Sequence, residues 1–222
     1  MLVRKLDIEI NAKDQFNIVL MGMGEPLHNY DNIMQVLRIL HDPVGLNMSM
    51  SRVTLSTVGL LPELDRLAHE PLIPNIAISM TGATDRKRDR WMPINRTYPI
   101  WDIVAALKRI PIRPRKRMMI EYVLLKDETD LLEDAVALAR IAISLDCKVN
   151  LIPLNESPDL KYKRPDHETV LRFQAVLREH GITTFIRKSR GDDISAACGQ
   201  LKKKWAGQPA EIDLHALRVS KQ

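Results

Sequence analysis

Short runs of apolar residues alternate along this chain with longer segments in which apolar residues recur every three or four positions. Short apolar runs bounded by turn residues are typical of buried parallel strands, and the longer spacing is typical of amphipathic helices. The pattern predicts strands at residues 16–21, 52–57, 75–80, 118–125, 148–154 and 183–188.

Helical patterns fill most of the intervals between these strands. The first has an apolar face formed by Ile33, Val36, Leu37 and Leu40. Further helices are predicted at 61–69, with Pro62 in its first turn, at 99–107, at 131–144 and at 167–179, where Gly181 ends the pattern. Because strand and helix alternate at intervals that suit right-handed crossovers, we expect an α/β fold with a parallel sheet.

The length and composition indicate one domain. A chain of 222 residues with 45% hydrophobic residues can bury a normal core, and no linker-like break interrupts residues 16–204. We therefore predict a core over 1–206 and a polar tail over 207–222. No apolar run approaches the roughly 18 residues of a membrane span, and the N-terminus lacks the apolar segment of a signal peptide, so a cytoplasmic protein is expected.

Two cysteines, Cys147 and Cys198, exclude a disulfide-rich scaffold. They also exclude a cluster site built only from cysteines of this chain, because an iron–sulfur cluster usually takes about three or four thiolates. Cys147 opens a predicted strand and is expected to be a small buried core residue.

The net charge of +5, from 33 basic and 28 acidic residues, permits nucleic-acid binding without requiring it. The sequence has five basic clusters, and all but the one at 113–117 flank or lie in predicted loops and element ends. The clusters are 86–88, 113–117, 161–164, 187–190 and 202–204. Trp91 and Trp101 could stack on bases, although tryptophans near helical segments more often serve packing.

Small polar residues follow several of the predicted strands. In parallel α/β folds, function collects at the carboxyl ends of the strands. Gly22 and Gly24 would let the backbone approach a ligand closely, and Glu25 could accept hydrogen bonds from an amine. Each residue alone could be an ordinary cap or turn residue, but their convergence on one edge indicates a ligand site. The polar residues at the other strand ends are Ser56, Ser79 and Asn155.

Cys198 lies in the run RKSRGDDISAACGQL at residues 187–201. Small residues on both sides leave its sulfur open to a large partner. The basic groups that precede it would favour the thiolate, which is the nucleophilic form. A nucleophilic role for Cys198 follows as a hypothesis.

Several segments resemble the RlmN-type family of radical S-adenosylmethionine methyltransferases, which modify C2 of adenine in 23S rRNA and tRNA. The matching segments are MGMGEPL at 21–27, RVTLSTVGLLP at 52–62, AISM at 77–80, MPIN at 92–95, IEYVLL at 120–125, CKVNLIPLN at 147–155 and RKSRGDDISAACGQL at 187–201. The sibling Cfr-type methylases, which act at C8 of adenine, share MGMGE and AACGQL. The RKSRGDD lead-in is more similar to the RlmN type.

The resemblance implies roles for individual residues. Gly24 and Glu25 match the family's motif whose carboxylate holds the methionine amine of S-adenosylmethionine. Further cofactor contacts are implied for Ser56, Ser79, Met80, Thr81 and Asn155. Met80 and Thr81 stand where the family has Leu-His, so a histidine contact is absent here. Cys198 matches the methyl-carrying cysteine, and RNA contacts are expected from Arg187, Lys188 and Arg190.

The same resemblance implies the chemistry. In the family, the thiolate takes a methyl group from one S-adenosylmethionine, and a reduced 4Fe-4S cluster cleaves a second one to a 5′-deoxyadenosyl radical. That radical abstracts hydrogen from the S-methyl group, and the resulting carbon radical adds to the adenine ring. A reductant such as flavodoxin, and a monomeric state for the complete enzyme, are further implications.

The family's cluster motif, Cys-x3-Cys-x2-Cys, precedes the MGMGEP segment, and no cysteine of this chain lies there. The expected architecture is therefore a partial (β/α) barrel of the radical S-adenosylmethionine type, without the first strand and the cluster loop. We expect a C-terminal portion of such an enzyme, inactive alone, with no metal ligands of its own. The first predicted strand should then be an exposed sheet edge.

Alternatives remain open from the sequence. A split gene or miscalled start, a decaying remnant, and a non-catalytic module that binds S-adenosylmethionine or RNA all fit the same residues. A Cfr-like C8 methyltransferase is a further candidate. If the family resemblance is set aside, the residues are also compatible with a generic α/β enzyme that uses Cys198 as a nucleophile with a histidine base.

The basic run beside Cys198 generates a test. Lys188→Ala should weaken RNA binding and flatten its salt dependence, because each phosphate contact releases counterions. Titrations of labelled RNA at several salt concentrations would measure the slope, and an unchanged slope would count against this assignment.

Overall fold

The structure is a computed structural model, and it describes residues 16–22, 24–112, 117–156 and 160–187. Three of the predicted site residues, Lys188, Arg190 and Cys198, lie outside the described residues. The predicted boundary between the core and the polar tail also lies outside them.

A single parallel sheet organises the described residues. Its six strands follow one another in sequence order, and each neighbouring pair is parallel. The strands are β1 (Ile18–Leu20), β2 (Val53–Thr57), β3 (Asn75–Ser79), β4 (Met118–Leu124), β5 (Lys148–Pro153) and β6 (Thr184–Ile186). This sequential order is that of a (β/α) barrel, so the predicted α/β class and partial-barrel architecture are confirmed.

Helices connect the strands in the order that the pattern predicts. They are α1 (Tyr30–His41), α2 (Leu61–Leu67), α3 (Asp85–Trp91), α4 (Ile100–Arg109), α5 (Leu132–Leu145) and α6 (His167–Glu179). Short 3-10 helices cover Pro26–Asn29, Met50–Arg52 and Pro93–Arg96. Right-handed crossovers between consecutive strands place such helices on one face of the sheet.

The apolar face of α1 differs from the prediction. Tyr30, Met34, Leu37 and Leu40 are its buried residues, whereas Val36 is exposed. The helix begins at Tyr30. The buried residues that follow Tyr30 are spaced three or four positions apart, so they lie on the same face of the helix, over the sheet. Ile33 is only partly buried.

Helix α3 was not predicted because it has no apolar periodicity. Its sequence is DRKRDRW, in which every residue but the last is charged. The Thr84 hydroxyl caps it by accepting a hydrogen bond from the Lys87 amide at 3.3 Å. Tertiary contacts of Lys87 and Arg88, described below, hold this helix against the sheet.

The hydrophobic core lies between the sheet and the helices. Alternate residues of the central strands are fully buried on that face, and Tyr122 of β4 stacks on Phe173 of α6 with ring centroids 5.6 Å apart. Cys147 lies in the same core, as predicted, and burial raises the pKa of its thiol to about 12. The opposite face of the sheet, which we call the open face, carries partly buried residues such as Thr54 and Ser56.

Within the described part of the chain, β1 forms one edge of the sheet. Val19 at its centre is 57% exposed. No helix of the described residues is long and apolar enough to cross a membrane.

A buried ion pair joins α3 to α5. Lys87 Nζ lies 2.6 Å from Asp134 Oδ2, and the Asp134 side chain is almost completely buried. Burial raises the pKa of Asp134, and the hydrogen bond from Lys87 opposes that rise. Burial thus makes the charged Asp134 carboxylate unfavourable, and Lys87 offsets part of this cost. The protonated carboxyl, which forms at low pH, does not depend on Lys87 in this way.

Removing the lysine should therefore destabilise the fold in a pH-dependent way. We expect Lys87→Met to cost about 3 kcal/mol of unfolding free energy at neutral pH, as a buried charge without its partner does. The cost should shrink as acid protonates Asp134. Urea unfolding at several pH values would measure this cost.

Arg172→Met is the matched control, because Arg172 forms an exposed ion pair with Glu168 at 3.9 Å. Its loss should change the free energy of unfolding by under about 1 kcal/mol. A pH-independent cost for Lys87→Met would contradict this account.

Candidate functional site

The predicted site residues that the structure describes gather at the carboxyl edge of the sheet. Gly24 and Glu25 follow β1, Ser56 lies near the end of β2, and Ser79 ends β3. Asn155 follows β5. Parallel strands bring their carboxyl ends to one edge, and so these positions meet although they are far apart in sequence.

Two main-chain amides hold the Glu25 carboxylate. Its Oε1 accepts a hydrogen bond from the Leu27 amide at 3.0 Å, and its Oε2 accepts one from the Val58 amide at 2.8 Å. The side chain thus caps the 3-10 helix Pro26–Asn29 and ties the loop after β1 to the turn after β2. An ionised carboxylate has about four acceptor positions, so both oxygens can still accept a bond from a ligand.

Val58 is held from its other side by Arg88. The Val58 carbonyl accepts a hydrogen bond from Arg88 Nη2 at 2.6 Å. Arg88 Nη1 donates to Asn95 Oδ1 at 2.8 Å and to the Tyr98 carbonyl at 3.2 Å. The guanidinium has no solvent exposure, and burial lowers its pKa to about 10, so it stays charged at neutral pH.

The basic cluster at 86–88 is not an exposed surface patch as a whole. Arg88 is fully buried and Lys87 is paired with Asp134, so only Arg86 of the three is freely exposed. The sequence pattern missed this role because nothing in a run of charges distinguishes a buried arginine from a solvated one. The described residues assign Arg88 to the support of the Glu25 loop.

The backbone before Glu25 depends on glycine. Gly24 has φ of +82°, a conformation that residues with a Cβ rarely adopt. A Cβ built at Gly24 would meet nothing within 4 Å, so the requirement comes from backbone conformation and the space beside it is open.

A row of polar side chains crosses the open face of the sheet. Ser56 Oγ lies 3.5 Å from Ser79 Oγ. Ser79 is in register with Glu121 of β4, and Glu121 is in register with Asn150 of β5. Residues in register point to the same face, so we define the polar row as Ser56, Ser79, Glu121 and Asn150.

Glu121 is the buried acid of the polar row. It is only 8% exposed, and burial raises its pKa. A hydrogen bond with the Asn150 side chain and the positive charge of Arg187 oppose that rise. Arg187, predicted to bind RNA, directly follows β6, and its side chain is exposed. Its positive charge nevertheless acts on Glu121.

Sequence reasoning missed Glu121 and Asn150. The available signal was a carboxylate in the middle of the otherwise apolar run MMIEYVLL. An acid at such a position is rarely buried unless a partner or a ligand requires it.

The structure buries the Met80 side chain away from the site, whereas Thr81 is only partly buried. The Met80 side chain is fully buried and its amide donates to the Glu121 carbonyl at 2.9 Å, so only the Met80 carbonyl could face a ligand. The Thr81 amide contacts Met92 Sδ at 3.3 Å. Their predicted cofactor contacts can therefore involve the Met80 main chain and the half-buried Thr81 hydroxyl.

The described residues do not form a metal or cluster site. Among them, no group of three or more histidine, cysteine, aspartate or glutamate side chains is arranged to hold a metal ion. Cys147 is buried at the opposite end of β5, and its raised pKa disfavours the thiolate that a cluster needs. A 4Fe-4S cluster therefore does not fit this part of the chain, whereas a ligand with an amine and hydroxyl groups does.

Comparison with known proteins identifies the family. The radical SAM superfamily model matches residues 2–140. Proteins named dual-specificity RNA methyltransferase RlmN are similar over most of the chain: that of Geobacter sulfurreducens is 46% identical over 188 residues and that of Anaeromyxobacter sp. is 48% identical over 185 residues. These matches cover 85% and 83% of this chain but 52% and 49% of the relatives, so the chain spans about half their length.

Solved structures agree with the fold. A radical SAM methyltransferase from Sphaerobacter thermophilus superposes with a TM-score of 0.77 at 44% identity, over 85% of this chain and 55% of that one. A domain of the pyruvate-formate lyase-activating enzyme from Bacteroides vulgatus superposes with a TM-score of 0.58 at 14% identity, which shows the fold alone. The six-stranded parallel sheet and the sequence matches together place this chain in the radical SAM superfamily.

Proposed function

We propose that the carboxyl edge of the sheet binds S-adenosylmethionine. The observation that carries the proposal is the Glu25 carboxylate, which two main-chain amides hold in place beside the open turn at Gly24. A fixed carboxylate with unused acceptor positions suits the methionine ammonium group. The conformation of Gly24 lets the main chain approach the same part of the ligand.

The polar row supplies acceptors for the ribose. Glu121 is a buried carboxylate that Asn150 orients, and the neighbouring Ser56 and Ser79 hydroxyls can donate or accept. A ribose offers two adjacent hydroxyl donors, and an acidic side chain is a common partner for them. Ligand binding would thus satisfy a carboxylate that is otherwise costly to bury.

We further propose that the chain is the S-adenosylmethionine-binding part of an RNA adenine methyltransferase that acts on C2 of adenine in 23S rRNA and tRNA. The similarity to proteins named RlmN, at 44–48% identity over most of this chain, supports the assignment. Cys198 is proposed as the methyl carrier because of its sequence setting. In the family, bound S-adenosylmethionine supplies the methyl group and the radical.

We expect activity in the cytoplasm, a reductant such as flavodoxin, and a monomeric complete enzyme. Cluster chemistry would require ligands that the described residues do not provide.

The cofactor proposal predicts two different effects of neutralising the two acids. Glu25→Gln should weaken S-adenosylmethionine binding about tenfold, because it removes a charge-assisted hydrogen bond to the amine. It should leave the binding of 5′-methylthioadenosine unchanged, because that compound lacks the amino-acid part. Glu121→Gln should weaken both ligands, because both carry the ribose.

Isothermal titration of the chain with each ligand would measure these affinities. Glu179→Gln, at the exposed end of α6, is the matched control and should bind both as the unaltered chain does. Equal losses for both ligands in Glu25→Gln would contradict the assignment of Glu25 to the amine.

The methyltransferase proposal predicts modification of adenine only when cluster ligands are supplied. The chain would be fused to the part of the Geobacter sulfurreducens relative that precedes the matching region, then incubated anaerobically with reductant, S-adenosylmethionine and 23S rRNA. Mass spectrometry should find 2-methyladenosine, and Cys198→Ala should abolish it. Methylation at C8 would instead indicate the Cfr-like function, and no methylated adenosine would contradict the catalytic proposal.

A further inference from the structure

Aromatic and cationic side chains form a strip beside the candidate site. The Trp91 and Tyr162 rings meet edge to face, with centroids 4.7 Å apart and planes at 73°. Arg90 lies 5.0 Å from the Trp91 ring centroid, and Lys161 Nζ lies 5.2 Å from that of Tyr162. The exposed Lys163 and Arg164 follow directly. We call these six residues the aromatic strip.

The aromatic strip lies at the same end of the sheet as the candidate site. The Lys163 carbonyl accepts a hydrogen bond at 2.9 Å from the Lys126 amide, in the turn after β4. The Arg164 amide donates to Glu156 Oε1 at 2.8 Å, and Glu156 is next to Asn155. These two bonds fix residues 160–164 over the ends of two central strands.

The other half of the aromatic strip belongs to the end of α3. Met92 directly follows Trp91, and its sulfur contacts the Thr81 amide at the end of β3 at 3.3 Å. The aromatic strip therefore spans the carboxyl ends of β3, β4 and β5.

Three of the four cations of the aromatic strip have no ion-pair partner among the residues that the structure describes. Arg90 forms two hydrogen bonds to Glu128, at 2.7 and 2.9 Å. Lys161, Lys163 and Arg164 are exposed and form no ion pair with the described residues. This differs from the cluster at 86–88, where Lys87 and Arg88 are absorbed by structural contacts.

We propose that the aromatic strip binds unpaired nucleotides of the substrate RNA next to the reacting adenine; this rests on the proposed RNA methyltransferase function. Half-buried rings offer surfaces on which bases stack, and stacking on aromatic side chains tolerates any base. The exposed cations at 161, 163 and 164, which form no ion pair within the described part of the chain, suit the phosphates that connect such bases. Ring and charge occur together, and this pairing favours a single-stranded segment over a duplex.

A purely structural role is the competing explanation for the two rings. Their edge-to-face contact also clamps residues 160–164 onto α3, and such a contact stabilises by about 1 kcal/mol. The structural role makes no use of Lys161, Lys163 and Arg164, whose side chains extend into solvent. Variants of the charges and of the rings therefore separate the two explanations.

Affinity for RNA would be measured with a fluorescein-labelled hairpin whose loop contains unpaired adenines, and with a duplex of the same composition. Neutralising Lys161, Lys163 and Arg164 together to glutamine should weaken hairpin binding and reduce the slope of log K against log salt by about 2. Tyr162→Leu should weaken the hairpin about tenfold, and Tyr162→Phe should retain its affinity because the ring remains.

Control variants and a second ligand show whether a loss of RNA binding comes from the aromatic strip or from altered folding. Lys108→Gln and Arg140→Gln remove exposed cations from α4 and α5, and both should leave the slope unchanged. Each variant is also titrated with S-adenosylmethionine, and an unchanged affinity shows that its fold and cofactor site are intact.

The outcomes distinguish this proposal from the proposed function. If the unaltered chain binds the hairpin and the triple glutamine variant binds it with the same slope, the aromatic strip is not the RNA surface. Equal losses for hairpin and duplex would overturn the preference for unpaired nucleotides. If the unaltered chain binds no RNA at any salt concentration, both this proposal and the RNA function fail for this chain.

Discussion

The candidate site depends on one chain of hydrogen bonds that begins at a buried guanidinium. Arg88 holds the Val58 carbonyl, and the Val58 amide in turn holds the Glu25 carboxylate, at 2.6 and 2.8 Å. The two contacts use opposite sides of one residue, so the turn after β2 cannot move without moving Glu25. Burial of a charge is tolerated because Asn95 and two main-chain carbonyls accept from it. A helix made almost entirely of charged residues thus becomes part of the support of a ligand site.

The two faces of the sheet differ in role: one packs against the helices, and the open face carries the candidate site. Right-handed crossovers place the helices on one face, where the apolar residues of the strands form the core. The other face carries the polar row, and its buried acid Glu121 has a raised pKa because water is scarce around it. The hydrogen bond with Asn150 and the positive charge of Arg187 oppose that rise in pKa. The aromatic strip lies at the same end of the sheet as the candidate site.

The fold was largely predictable from the sequence, because parallel strands and amphipathic helices have distinct periodicities. β3 and β5 begin at the predicted residues, and α6 spans the predicted range. The site was predictable only in part. Glu25, Ser56 and Ser79 lie at or after the ends of separate strands, as their positions in the sequence predicted. Arg88 and Glu121 were not predicted because their placement arises from burial. No local pattern shows that a charged residue will be enclosed by elements distant in sequence.

The central claim is that S-adenosylmethionine binds at the carboxyl edge of the sheet through Glu25. A crystal structure, determined from crystals of the chain soaked with S-adenosylmethionine, would test it most directly. We expect density at the carboxyl edge of the sheet, with the ligand amine about 3 Å from the Glu25 carboxylate and the ribose against the polar row. Glu25 should retain its bonds to the Leu27 and Val58 amides. A ligand bound elsewhere, or bound at this edge with its amine turned away from Glu25, would contradict the account.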